Sequence, residues 1–178
     1  MNSAETVRVE IDSRGVAMLT LNRPEIHNAF DDALIIRLLE VLAQLERDRG
    51  VRAVVLGSTG KSFSAGADLN WMRRMADYDR EQNHRDARQL AELMRRLNRF
   101  ERPTIARVQG AAFGGGVGLV ACCDIAVASE RAQFALTEVR LGVIPAVISP
   151  YVIAAIGERA ARRYFLSAER FDAQQARR

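Results

Sequence analysis

Two short segments rich in small residues carry the first chemical signal. They are Phe63-Ser64-Ala65-Gly66-Ala67-Asp68-Leu69 and Gly110-Ala111-Ala112-Phe113-Gly114-Gly115-Gly116-Val117-Gly118-Leu119. Each places small side chains where backbone must approach something closely, and each is predicted to open a helix. The first N–H groups of a helix have no acceptor within it. Two such helix starts meeting at one point can hold a developing negative charge between them, as an oxyanion hole made of main chain. That chemistry points to an enzyme.

The elements that must position these segments alternate along the chain. Thr6–Ile11 and Val16–Leu21 alternate as strands about Gly15, which predicts an opening hairpin that Pro24 stops. Asp31 or Asp32 caps a helix carrying Leu34, Ile35, Leu38, Leu39, Leu42 and Leu45, with Gly50 as its expected end. Residues 52–57 read as a short strand and 58–67 as a loop. A helix is expected from about Asp68, and a longer one from about Asp86 to Phe100. Strands follow at 104–108, 124–128 and around Phe134, and the pattern turns helical from Ile148. This order predicts one α/β domain over residues 1–178. The last stretch, Ala168–Arg178, reads as the start of a helix capped near Asp172, so a terminal segment is expected to be missing.

At 178 residues and 48% hydrophobic, the chain can bury a real core, and no run reaches the length of a membrane span. Residues 1–10 contain Glu5 and Glu10 and lack an apolar signal region. Cys122 and Cys123 are adjacent, which suits small buried side chains in a reducing cytoplasm better than a disulfide or a metal site. The net charge is +4, and Lys61 is the only lysine. The surplus is local, with ten arginines against six acids between Arg73 and Arg107.

Gly116-Val117-Gly118-Leu119-Val120-Ala121 also matches a dinucleotide fingerprint, with Glu138 twenty residues past Gly118. The acidic residue should end the next strand, which here finishes too early at Ser129-Glu130, so that match is discounted. Taken in order, Phe63–Leu69, Gly114–Gly116 with Cys123-Asp124-Ile125, and Phe134–Gly142 resemble the crotonase (enoyl-CoA hydratase/isomerase) superfamily. Leu19–Pro24 with Asn28-Ala29 resembles that family's first turn.

The resemblance implies a crotonase-like spiral of β-β-α turns with an incomplete C-terminal helical part. It further implies an acyl-CoA substrate, assembly as a homotrimer or hexamer, no metal, and no cofactor apart from the coenzyme A of the substrate. By position, the N–H groups of Ala67 and Gly115 would bind the thioester oxygen. Ala65, Gly66, Asp68, Leu69 and Asn70 would line the CoA path, with Ile26 and His27 beside it. Hydratases of the family carry two glutamates. Here Gly118 stands at the first position and Glu138 at the second. Glu138 is therefore the expected catalytic acid/base, in an apolar pocket that Phe134, Leu136, Leu141 and Val143 could form. Otherwise it would be a surface carboxylate beside a helix start.

One glutamate suits either double-bond isomerisation or hydration by a single base. The run Ile144–Pro150, with Gly118, looks most like bacterial methylglutaconyl-CoA or carboxygeranoyl-type hydratases. Gly118 is then expected to make room for a branched or carboxylated acyl chain.

Asp68 reads as a helix cap in preference to a catalytic acid, and Asp124 as an anchor for the strand it starts. Ser64 lacks triad partners, His84 sits on a solvated helix, and Trp71 reads as core. One branch of the resembled family binds RNA through a basic helix near the arginine-rich stretch. The interleaved acids favour a solvated or intersubunit face there, or attraction of CoA phosphates, over a nucleic-acid interface.

Overall fold

The computed structural model of the protein describes residues 5–178. The hairpin forms as its alternation predicts: β1 (Val7–Ile11) runs antiparallel to β2 (Val16–Leu21), with Val9 opposite Leu19. Helix α1 (Asp32–Arg47) follows, burying Leu34, Ile35, Leu38, Val41, Leu42 and Leu45 on one face. Asp31 is its cap, accepting the Leu34 N–H at 2.8 Å and pairing with Arg23 at 2.8 Å. Gly50 does not end this helix. Asp48 does, by turning extended, and its carboxylate then accepts the Gly50 N–H at 2.8 Å to shape the turn into β3 (Ala53–Ser58).

From β3 onward the chain repeats one move. β3 lies parallel to β2, turns a corner, and the short β4 (Ser62–Ser64) starts a second sheet. Helices α2 (Leu69–Ala76) and α3 (Arg80–Asn98) bring the chain back. β5 (Thr104–Val108) then pairs parallel with β3, β6 (Ala111–Phe113) pairs parallel with β4, and α4 (Gly115–Cys122) returns. β7 (Ile125–Ala128) and β8 (Gln133–Ala135) make the third turn. α5 (Ser149–Ile156), α6 (Glu158–Ser167), β9 (Phe171–Asp172) and α7 (Ala173–Arg177) complete the described chain. The sheets run β1-β2-β3-β5-β7 and β4-β6-β8-β9, and only the β1/β2 and β8/β9 pairs are antiparallel. Each turn gives one strand to each sheet and a helical return, which is the expected spiral of β-β-α turns.

Two strands lie where the sequence reads as loop, β4 inside residues 58–67 and β6 inside the glycine run. α3 begins at Arg80, earlier than expected, because Asp79 and Gln82 form a reciprocal capping box. Asp124 anchors the neighbouring strand, its Oδ2 accepting the Thr104 N–H at 2.7 Å and hydroxyl at 2.8 Å. Trp71 is core, 3% exposed, and Cys122 is buried, with burial pushing its thiol well above the ordinary range. Along α3, Arg85, Arg95 and Arg96 pair with Glu81 and Glu92 at 4.0, 2.7 and 3.6 Å. Among the described residues, no helix is long and apolar enough to cross a membrane.

The corners between the sheets are tied by polar side chains. Asn28 is fully buried, and its Nδ2 donates to the carbonyls of Thr59 and Ser62, each at 2.9 Å. Its Oδ1 accepts the Arg23 N–H at 2.8 Å, and its carbonyl accepts the Ser64 hydroxyl at 2.9 Å. One side chain thus clamps the first turn to β4. Replacing Asn28 by alanine takes a partner from the Arg23 N–H and from the Thr59 and Ser62 carbonyls, the last of which keeps the Ser58 hydroxyl and Gln109. Asn28→Ala is expected to lower stability by about 3 kcal/mol, read as a reduced urea midpoint at unchanged m-value.

Candidate active site

The β4/β6 pairing puts Ser64 beside Ala112, which carries the two small-residue segments onto each other. Their approach leaves no room for side chains. A Cβ on Gly66 would lie 2.9 Å from the Phe113 carbonyl oxygen and 3.6 Å from the Gly115 nitrogen. A Cβ on Gly116 would lie 2.6 Å from the Ser64 carbonyl oxygen. At Gly114 the backbone takes φ 51°, ψ −120°, a conformation open to glycine, and this swings the chain from β6 into α4.

Two N–H groups are left free by this arrangement. Phe30 pairs with the first segment by donating to the Gly66 carbonyl and accepting the Asp68 N–H, both at 2.7 Å, so the intervening Ala67 N–H turns the other way. Gly115 is the first residue of α4, where helix geometry supplies no acceptor. Neither N–H has an acceptor among the described residues. Ala67 and Gly115 both line a cavity of about 360 Å³.

Glu138 lines the same cavity. Its placement follows from the second sheet: β6 pairs with β8, the Gly114 N–H donates to the Ala135 carbonyl at 2.9 Å, and a 3₁₀ turn over Glu138–Leu141 folds back over Gly114. A Cβ on Gly114 would sit 3.0 Å from Glu138 Oε1. The other oxygen, Oε2, is buried without a hydrogen-bond partner. Burial therefore pushes the Glu138 carboxyl above its ordinary range, opposed only in part by the residue's own backbone N–H. It is the sole ionisable side chain among the described residues lining the cavity.

The rest of the wall is apolar. Leu141 and Val143 are there as expected, but Phe134 and Leu136 are not: Phe134 stacks on Phe171 with ring centroids 5.4 Å apart, and Leu136 is fully buried in the core. Their places are taken by Trp71, Met72 and Met75 of α2 and by the run Ile144–Ile148. That run is apolar and begins six residues after Glu138, a signal available in the sequence.

Of the expected CoA-path residues, Ala65, Gly66 and Leu69 line the cavity. Asp68, Asn70, Ile26 and His27 stand outside its lining. Asp68 caps α2, accepting the Asn70 and Trp71 N–H groups at 2.8 and 3.0 Å. The His27 carbonyl accepts the Ala65 N–H at 3.0 Å, which keeps Ile26 and His27 next to the first segment. Ser64 is no nucleophile; its hydroxyl is spent on the Asn28 carbonyl.

Gly118 differs from expectation. It does not open onto the cavity, because a Cβ there would meet Ile148 Cγ2 at 2.3 Å and Ile148 Cβ at 2.9 Å. The space over Gly118 is filled by Ile148, so an acyl chain does not enter it directly. A glutamate at this position would have to displace Ile148 and bury a carboxylate. Gly118→Glu is expected to cost about 3 kcal/mol or more, measured by thermal or urea unfolding.

A cavity with two free backbone donors and one proton-transfer group can stabilise an enolate and move a proton on the carbon beside it. The model of the enoyl-CoA hydratase/isomerase family matches residues 12–178. The chain belongs to that family. The crystal structure of an enoyl-CoA hydratase from Shewanella pealeana is 54% identical with a TM-score of 0.95, over 98% of this chain and 65% of that one. Pseudomonas aeruginosa AtuE is 39% identical with a TM-score of 0.92, over 97% of this chain and 66% of that one. The 2,3-dehydroadipyl-CoA hydratase of Escherichia coli is 39% identical over 90% of this chain and 62% of its own length. The chain thus spans about two-thirds of the length of these relatives. As a member of the enoyl-CoA hydratase/isomerase family it has the crotonase fold, and the spiral described above is that fold.

Proposed function

We propose that the protein hydrates an α,β-unsaturated acyl-CoA, with Glu138 as its single acid/base and the Ala67 and Gly115 N–H groups holding the thioester oxygen. The observation that carries this reading is the buried, unpartnered Glu138 Oε2 in one cavity with two free backbone donors. As water attacks C3, the Glu138 carboxylate takes its proton and the C2=C3 electrons move onto the thioester oxygen. The backbone N–H groups stabilise that charge by about 3 kcal/mol per donor. The protonated carboxyl then gives its proton to C2, and the C=O re-forms. A carboxyl with a raised pKa suits both halves of the cycle.

The apolar wall supports a branched acyl chain. A distal carboxylate, as in methylglutaconyl-CoA, finds no cation among the described lining residues. In this reading it reaches solvent past Ile144, a lining residue that is 78% exposed. Assembly as a trimer or hexamer and a cytoplasmic setting belong to the same proposal.

The lone carboxylate also favours a second reading, double-bond isomerisation, in which Glu138 carries a proton between two carbons of the acyl chain. A panel of 2-enoyl- and 3-enoyl-CoAs separates the two. Hydration removes the conjugated thioester absorbance of a 2-enoyl substrate, whereas isomerisation creates it from a 3-enoyl one. Turnover of methylglutaconyl-CoA beside crotonyl-CoA ranks the acyl chains, and turnover of neither class would falsify the enzymatic reading.

A further inference from the structure

Ile148 has two faces. One lies against α4, where its Cγ2 and Cβ fill the space over Gly118, with Met94 Cε also 3.3 Å from where a Gly118 Cβ would be. The other lines the cavity that holds Glu138. Ile148 is only 3% exposed, and Met94 behind it is fully buried. Its backbone is fixed at the start of α5: its N–H donates to the Pro145 carbonyl at 3.2 Å, and its carbonyl accepts the Tyr151 and Val152 N–H groups at 3.1 and 3.0 Å. A β-branched side chain on a fixed backbone, wedged against a helix, has little rotamer freedom left.

We propose that Ile148, seated on Gly118, is the specificity-determining residue that sets the depth of the acyl pocket and restricts it to short acyl chains. This rests on the acyl-CoA reading above. Gly118 and Ile148 act as a size pair: the missing side chain on α4 lets Ile148 sit back, and Ile148 closes the route to Met94. Shortening Ile148 opens the pocket towards Met94. Adding a methyl at Gly118, 2.3 Å from Cγ2, drives Ile148 forward into the cavity.

The test is a binding ladder of saturated butyryl-, hexanoyl- and octanoyl-CoA, measured by calorimetry on the parent, Ile148→Ala, Ile148→Val and Gly118→Ala. Saturated thioesters cannot be hydrated, so binding is read apart from turnover. Ile148→Ala is expected to shift the octanoyl-to-butyryl affinity ratio towards octanoyl by about tenfold. Ile148→Val should shift it the same way by less, and it guards against collapse of the alanine variant. Gly118→Ala should shift the ratio towards butyryl. A ladder unchanged in both Ile148 variants overturns the proposal, even if the parent hydrates enoyl-CoAs. A shifted ladder in a parent that binds but does not hydrate supports the proposal and overturns hydration. A parent that binds no acyl-CoA overturns both.

Discussion

Replacing Glu138 by glutamine is expected to lower kcat by about 10³-fold while leaving the affinity for acyl-CoA near that of the parent. Glutamine keeps the shape and the contact with Gly114 but neither takes a proton from water nor returns one to C2. Among the described residues the cavity lining has no second carboxyl to share the work, and Gly118, the position expected to hold one, lies under Ile148. The measurement is steady-state turnover of a 2-enoyl-CoA with acyl-CoA binding read separately. A residual kcat within tenfold of the parent would move the proton-transfer role off Glu138.

The same substitution has a second signature of opposite sign. Burial raises the folded-state pKa of Glu138 above its ordinary value. Below the unfolded pKa of about 4.3 the carboxyl is protonated in both states and costs nothing. As pH rises past that value the unfolded chain ionises first, so stability falls, and the whole cost is present above the folded pKa. Glu138→Gln should therefore raise the melting temperature at pH 7 and lose that advantage near pH 4. For the parent, kcat/KM should fall on the acid side through the raised pKa, because the carboxylate form begins the cycle. A variant that is slower and more stable is what an uncompensated buried catalytic group predicts, and a salt-bridged structural carboxylate would show the reverse.

Much of this site was legible because its parts are backbone parts. Small residues at Ala65–Ala67 and Gly114–Gly116 mark places where chain approaches chain, and the distances from Gly66 and Gly116 to the facing segment bear that out. The strands that bring the segments together were less legible. Ser62–Ser64 and Ala111–Phe113 are three residues each and pair in parallel with partners far along the chain, so no local alternation announces them. The first turn of α3 is polar, and only the Asp79–Gln82 capping box betrays its start. Gly118 shows a deeper limit. An absent side chain reads as space in a sequence, yet whether it is space depends on a residue thirty positions later that has no pattern relation to it.

Gly115→Ala is expected to cut kcat/KM by about 10² to 10³-fold and to destabilise the fold by about 2 kcal/mol. The added Cβ would lie 2.4 Å from Phe30 Cε2 and 3.1 Å from Cδ2, and Phe30 is 1% exposed, with the cavity as the space beside its ring. Relief that shifts the start of α4, whose first N–H is one of the two donors, turns overpacking into misdirection of a hydrogen bond, and relief that moves Phe30 pushes its ring into the cavity. The loss should fall mainly on kcat, because the charge on the thioester oxygen is larger in the transition state than in the bound substrate. Phe30 also bonds to both sides of Ala67, so the same strain reaches the second donor through the Gly66 carbonyl and the Asp68 N–H. A companion variant tests this route. Phe30→Leu removes Cε2 and Cζ, the ring atoms at 2.4 and 3.4 Å, and the double variant should regain part of the lost kcat. If Gly115→Ala instead raised KM with kcat intact, the methyl would be obstructing substrate, and the two N–H groups would lose their assignment as donors to the developing charge.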